Sequence, residues 1–480
     1  MRRVGFVRLS LVLAFCFITH VTCAQSIRQQ KTDSVFRLIR KYLELKDIDR
    51  LYSLAGDGFK KNIPADGFRN IAEHQLFPLG GMIDADLESF VNDQIATYKV
   101  QFNGATMEII LSLDDRDKIA GMLFRPFQPA PLEKLIAPPT SNPLTTTQDK
   151  LVDAAATKYI NKGNTVGLSI GVIKNGQVNV YNYGEAIKGG KHLPDAETIF
   201  EIGSISKTFT AAILATFVNQ GKLKLTDPII KYLPDSVAAN SALKGITLVN
   251  LINHTSGLPS VPSNLTEQPN YDKSNPYKNY NKQLLFAWLK TCQPASLPGE
   301  RYAYSNAAVG LLGIILEKIS GKPYEQLVSE LICTPLGMKS TVQHLYPMMV
   351  NRFATVYNEN GTQTPPWEFD ALAACGALRS DMNDLIAYAK ANLNDDRPDA
   401  LSKALKLTRQ ITFNKQPNIG LAWHVILVEG VPYYFHNGGT YGSSSFLAFN
   451  KEKNLAVIVL SNAETSTDNL GIELLKSLQN

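Results

Sequence analysis

The chain has 480 residues, 44% of them apolar and 19% charged, with 48 Lys and Arg against 43 Asp and Glu. This is the composition of a soluble globular protein with two or three domains, and it excludes a fibrous, disordered or membrane-embedded chain. A formal net charge of +5 implies no nucleic-acid partner.

The N-terminus differs from the rest. Arg2, Arg3 and Arg8 precede the apolar run Leu11 to Ile18, and Thr22-Cys23-Ala24 offers small residues before a cut ahead of Gln25. Residues 1–24 read as a signal peptide, so the protein is expected to be secreted or periplasmic. No later stretch is long and apolar enough to span a membrane. A lipoprotein anchored at Cys23 is the weaker reading, because His20-Val21-Thr22 is a poor small-residue box. Cys16 and Cys23 leave with the signal. Cys292, Cys333 and Cys375 remain, an odd number that cannot pair fully and leaves room for one bridge. The seven histidines show no His-Glu-x-x-His spacing and no Cys-x-x-Cys occurs, so neither a metal nor another cofactor is expected.

Residues 25–127 read as a small α+β domain. Val35, Phe36, Leu38, Ile39, Tyr42 and Leu43 share one helical face. Strand-like alternation follows in Ala96 to Phe102, Met107 to Leu113 and Ile119 to Phe124. The layout resembles the cone-shaped cystatin-like or nuclear-transport-factor-like domains, with Phe59, the Gly80-Gly81 turn and Lys118-Ile119-Ala120-Gly121 as the best points. Some such cones bind small ligands; a structural or docking appendage is the plainer reading, and its partner is unnamed. Residues 128–147, rich in proline and threonine, read as a linker.

A second domain is expected over 148–480. Its first helix runs from Gln148 to Asn161, and Gly167 to Val172, Asn175-Gly176 and Gln177 to Tyr183 form a hairpin with a two-residue turn. Gly167-Leu168-Ser169-Ile170-Gly171 satisfies Gly-x-Ser-x-Gly, the signature of an α/β-hydrolase nucleophile. That signature works only on a sharp strand-to-helix turn, whereas Ser169 lies inside a strand pattern.

Ser204-Ile205-Ser206-Lys207 sets a hydroxyl and an amine one helical turn apart, on one face. A serine hydroxyl needs a nearby proton acceptor to become a nucleophile, and a lysine can help only if burial or other cations lower its pKa. The apolar run from Thr208 to Val218, closed by Gly221, describes a buried helix whose N-terminus favours developing negative charge. A second Ser-x-x-Lys, Ser241 to Lys244, is followed at once by Gly245 and reads as a surface turn.

Tyr304-Ser305-Asn306 precedes the apolar helix Ala307 to Ile315. A phenol beside a lysine ammonium loses its proton more easily than usual and could serve as a base toward the serine. Its plainer reading is a buried, hydrogen-bonded tyrosine, and Tyr-x-Asn recurs at Tyr159 and Tyr277. The third segment is His436-Asn437-Gly438-Gly439, leaving a strand. Its glycines let backbone approach a ligand, and the Gly439 N–H could join that of Ser204 as an oxyanion hole. A lone strand-end histidine is otherwise structural. Strands are expected at Leu421 to Val428, Val431 to His436, Ser443 to Phe449 and Leu455 to Ser461, then a helix from Asp468 to Leu478.

In this order and spacing, the three segments resemble the serine β-lactamase and penicillin-binding-protein superfamily, on the branch of class C β-lactamases, D,D-peptidases and related esterases. Phe200 to Thr210, Asp227-Pro228, Leu251-Ile252-Asn253-His254-Thr255-Ser256-Gly257-Leu258, Gly376 to Ser380 and Gly420 to Trp423 agree with it, and it covers roughly Asp149 to Leu478. The resemblance implies an antiparallel sheet flanked by helices, with a helical subdomain. It implies an acyl-enzyme on Ser204, proton management by Lys207 and Tyr304, substrate contact from Asn306, and a small-molecule or cell-wall peptide substrate. His436 stands where many class C β-lactamases carry a lysine; a neutral imidazole pulls less on a substrate carboxylate, which favours peptidase or esterase chemistry over β-lactam hydrolysis. The alternative is a penicillin-recognising sensor with little turnover.

Overall fold

The computed structural model describes residues 27–91, 94–127, 137–415 and 417–479. The expected signal peptide and residues 128–136 of the expected linker lie outside them. The chain divides into two compact units, one up to residue 131 and one from residue 132.

In the first unit, helix α1 (Ile27–Glu44) is followed by short helical turns and by strands β1 (Met82–Val91), β2 (Ile95–Phe102), β3 (Thr106–Leu113) and β4 (Ile119–Pro126). The strands form an antiparallel meander in chain order. Phe36, Ile39 and Leu43 of α1 are buried, and Phe36 stacks on Tyr98 at 3.8 Å. Leu38, expected on the same face, is exposed. Strand β1 escaped the sequence reading. It is an edge strand with register shifts between Met82 and Asp84 and between Leu87 and Ser89, and each bulge breaks the period-two pattern.

The second unit opens with α2 (Thr147–Ile160), held at its start by a reciprocal Thr146–Asp149 capping box. Strands β5 (Gly167–Lys174) and β6 (Gln177–Gly184) follow, joined through Asn175 and Gly176, both at positive φ as a two-residue hairpin turn requires. Then come β7 (Phe200–Glu201), α3 (Ser206–Asn219), α4 (Asn306–Ser320), β8 (Arg379–Ser380) and α5 (Met382–Leu393). Strands β9 (His424–Val428), β10 (Val431–Gly439), β11 (Ser444–Asn450) and β12 (Leu455–Ser461) lead to α6 (Asp468–Leu478). Strand β9 starts three residues later than expected because Ala422 adopts a left-handed backbone (φ 64°) that interrupts extension.

The sheet has the order β6-β5-β12-β11-β10-β9, antiparallel throughout. Every residue of β12 is buried, since helices cover both faces. Leu455, Val457 and Val459 pack with α2 and α6, whereas Ala456, Ile458 and Leu460 join the larger core around α3 and α5. Ser169 is fully buried within β5, opposite Leu460 and Asn182, so no nucleophile elbow exists there. All three described cysteines are buried free thiols. No helix among the described residues is long and apolar enough to cross a membrane.

Two contacts bring the site's elements together. Gly310 and Gly313 share a face of α4, and a Cβ at either would lie 2.3 Å from Leu372 or Ala374, so their hydrogens let α4 press against the 372–375 segment. The stretch from Ala374 to Leu378 also binds α3: Thr210 donates to the Ala374 carbonyl at 2.8 Å, and the Leu378 N–H donates to Ser206 Oγ at 3.0 Å.

Candidate active site

Ser204 lies in a 3-10 turn, Gly203–Ile205, that runs directly into α3, and Lys207 is in the first turn of that helix. The serine keeps partial solvent access while Lys207 is fully buried. Lys207 Nζ donates to Ser204 Oγ at 2.8 Å, to Asn306 Oδ1 at 2.8 Å and to the Cys375 carbonyl at 2.5 Å. Burial pushes the amine down from 10.5 to about 8, partly offset by Cys375. An amine near 8 is still mostly ammonium at pH 7, but its neutral fraction is far larger than that of an ordinary lysine. In the neutral form it keeps two N–H donors for Asn306 and Cys375 and turns a lone pair to the Ser204 hydroxyl. The second Ser-x-x-Lys has no such surroundings, since Ser241 and Lys244 are exposed on a short 3-10 turn.

Tyr304 directly precedes Ser305, which caps α4 by accepting from the Ala308 N–H at 3.0 Å. The Tyr304 phenol donates to Ser204 Oγ at 2.7 Å, so Ser204 sits between Lys207 and Tyr304. Sequence reasoning made this phenol a ready base. In the structure, burial pushes its pKa well above the usual tyrosine range, and the resting phenol holds its proton. Asn306, the first residue of α4, also donates from Nδ2 to Tyr277 at 3.3 Å. Tyr277 belongs to a Tyr-x-Asn that the sequence offered no reason to prefer. Its ring stacks on Phe369 at 4.9 Å and meets Trp367 edge-on at 5.2 Å.

The end of β10 closes the other side. A Cβ on Gly203 (φ 46°) would lie 2.7 Å from the Gly439 nitrogen, and one on Gly438 would lie 2.1 Å from the Ile202 carbonyl oxygen. Only glycines allow this approach, which puts the Gly439 N–H beside the turn that carries Ser204. A Cβ at Gly439 itself would meet nothing closer than 4.0 Å. His436, expected to face substrate, is fully buried; its Nδ1–H donates to the Asn437 carbonyl at 2.7 Å, and Nε2 has no hydrogen-bond partner among the described residues. Burial, then His424 and Lys207, hold it well below 6.5, so it is a neutral imidazole and supplies no cation.

Glu201 was not singled out individually by the sequence. It is buried three residues before Ser204 and accepts from the Trp367 N–H and the Thr440 hydroxyl, both at 2.6 Å. One carboxylate thus ties the serine strand, the Trp367 wall and the turn after Gly439.

A family model described as beta-lactamase matches residues 152–477. The chain belongs to the beta-lactamase family. As a member it is a serine hydrolase of the beta-lactamase and D-Ala carboxypeptidase type. It is 28% identical to a beta-lactamase of Pseudomonas fluorescens over 65% of this chain and 93% of that protein. It is 30% identical to the D-alanyl-D-alanine-carboxypeptidase/endopeptidase AmpH of Escherichia coli K12, over 65% of this chain and 83% of that one. A beta-lactamase/D-alanine carboxypeptidase from Pseudomonas syringae superposes with a TM-score of 0.62 at 26% identity, covering 70% of this chain and 99% of that one. Every side chain of the geometry above lies inside the beta-lactamase match, whereas the first unit lies outside it.

Proposed function

We propose that this chain is an exported hydrolase that forms an acyl-enzyme on Ser204 and cleaves esters or D-amino-acid amides in preference to β-lactams. One observation carries the chemistry: two proton-transfer groups of opposite tendency, Lys207 at 2.8 Å and Tyr304 at 2.7 Å, meet at Ser204 Oγ. Ser204 Oγ attacks the carbonyl carbon as neutral Lys207 takes its proton. The oxyanion is held by the Ser204 and Gly439 N–H groups. Collapse expels the alcohol or amine, which takes the Tyr304 proton and leaves phenolate beside ammonium; Lys207 Nζ lies 4.8 Å from the centre of the Tyr304 ring. In deacylation the phenolate removes a proton from water as its oxygen adds to the acyl carbon. Ser204 then leaves with the Lys207 proton, and all three groups return to their starting forms.

The substrate preference is supported by His436. A buried neutral imidazole cannot neutralise the carboxylate that penicillins and cephalosporins carry. The kinship to AmpH, named as a carboxypeptidase and endopeptidase, points to D-alanyl peptides as the amide class.

The test has two parts. A fluorophosphonate should label the mature protein at Ser204, located by peptide mapping, and labelling that survives Ser204→Ala rejects the nucleophile. A p-nitrophenyl butyrate, a peptide ending in D-Ala-D-Ala and a chromogenic cephalosporin are then compared by kcat/KM. The cephalosporin should be the poorest, by about tenfold or more; if it is the best, the preference is wrong.

A further inference from the structure

His254 sits outside the groups that touch a substrate carbonyl, yet its carbonyl and Nδ1 bind the residues on either side of Tyr304 and its ring lies against the phenol, while Nε2 has no hydrogen-bond partner among the described residues. The Ala303 N–H donates to the His254 carbonyl at 2.8 Å, and the Ser305 N–H donates to His254 Nδ1 at 3.2 Å. These N–H groups belong to the residues on either side of Tyr304. The imidazole itself lies against the phenol ring, with centroids 4.4 Å apart at a 35° tilt.

The backbone adopts an uncommon conformation to make this grip. His254 has a φ of 60°, in the left-handed region that side chains other than Gly, Asn and Asp rarely enter, and it is fully buried. Its neighbours hold it there. The Asn253 amide donates to Thr412 at 3.1 Å, the Thr255 hydroxyl donates to Asn253 Oδ1 at 2.7 Å, and Asn250 donates to Thr255 at 2.9 Å. Further along the same loop, the Ser305 hydroxyl donates to the Pro259 carbonyl at 2.6 Å, and the Asn306 N–H to the Ser260 carbonyl at 2.8 Å. Residues 254–260 therefore wrap the Tyr304-Ser305-Asn306 segment, and the histidine is the part of the wrap that bears on the phenol.

We propose that His254 is a positioning residue for Tyr304, fixing the phenol against Ser204 through its carbonyl, its Nδ1 acceptor and its ring. The proposal rests on Tyr304 serving the proton transfers at Ser204. Because Nδ1 must accept from the Ser305 N–H, the ring has to be neutral with its proton on Nε2. Burial, with Lys207 and the other two histidines nearby, keeps it so.

The critical comparison is between His254→Leu and His254→Asn. Leucine keeps apolar volume and loses the acceptor. Asparagine tolerates the left-handed backbone, and its Oδ1 stands at the branch position of Nδ1, so it can accept from Ser305. With p-nitrophenyl butyrate, H254L should lower kcat by about 10- to 100-fold with KM within about threefold, as expected when a catalytic group shifts by a fraction of an ångström to one ångström. H254N should recover most of that loss. If H254L does not fold, His254→Gly carries the same expectation, since glycine takes this backbone without strain.

The coupling is read in a Tyr304→Phe background, where H254L should cost less than threefold further. Full activity in H254L, an H254N enzyme as slow as H254L, or an undiminished H254L effect in the Y304F background would each overturn the assignment. Y304F activity equal to wild type would instead reject the role of Tyr304 itself.

Discussion

Lys207 decides the protonation state in which Ser204 can react. The neutral amine can take a proton and the ammonium cannot, and burial places the crossover near 8 instead of 10.5. Below that value kcat/KM for ester hydrolysis should fall about tenfold per pH unit, and above it the profile should flatten. The nearby histidines do not account for such a limb: His254 and His436 are held well below 6.5, and His424 is pushed down to about 4. A limb at 6 in the measured profile would therefore remove Lys207 from the base role. The same depression has a linked effect on stability. Between 8 and 10.5 the unfolded chain binds a proton that the native state has released, so this group's contribution to stability rises with pH across that window.

The approach of two backbone elements, the turn at Gly203 and the end of β10, aligns the proposed oxyanion donors, and the glycines separate packing from chemistry. Gly438→Ala puts a methyl 2.1 Å from the Ile202 carbonyl oxygen and 2.4 Å from Ser445 Oγ, within a fully built sheet. It should lower thermal stability by about 1–3 kcal/mol, the range for overpacking, and abolish turnover. Gly439→Ala meets open space and should melt within about 2 °C of wild type, while its methyl intrudes on the cleft and lowers kcat/KM. Equal melting losses in the two variants would contradict this geometry.

The local signals behind these elements were legible in the chain: a Ser-x-x-Lys entering an apolar helix, a Tyr-x-Asn at a loop-to-helix junction, and glycines leaving a strand. What the chain did not disclose depends on tertiary contact. Glu201 and His254 stood inside matched stretches without a stated task, because the Thr440, Trp367 and Ser305 groups they bind come from elsewhere in the sequence. That the resting Tyr304 phenol holds its proton, and must give it up before it can act as a base, was hidden for the same reason, since burial cannot be read from three residues. The strand β1 was hidden by its bulges.

On the scale of the whole molecule, the second unit draws its central sheet from both of its ends. Strand β5 pairs with β12 from Leu168↔Ser461 to Lys174↔Leu455, and β12 in turn pairs with β11. The β5–β6 hairpin, which ends at Gly184, therefore joins the sheet only through a strand that begins at Leu455. A protein ending at Asn454 would lack β12 and α6, leaving β5 and β11 as unpaired edges and exposing the core packed against both faces of the missing strand. It should be insoluble or unfolded by circular dichroism. The opposite cut should be benign. Ser204, Lys207, Tyr304, Asn306, His436, Glu201 and His254 all belong to the second unit, and the first unit has its own core around Phe36, Tyr98 and Ile109. A protein of residues 137–480 should melt cooperatively and hydrolyse p-nitrophenyl butyrate with kcat within about twofold of the full chain, since domains with separate cores fold as separate units. A loss of ester turnover in that protein, with its melting transition intact, would show that the first unit contributes to the reaction itself.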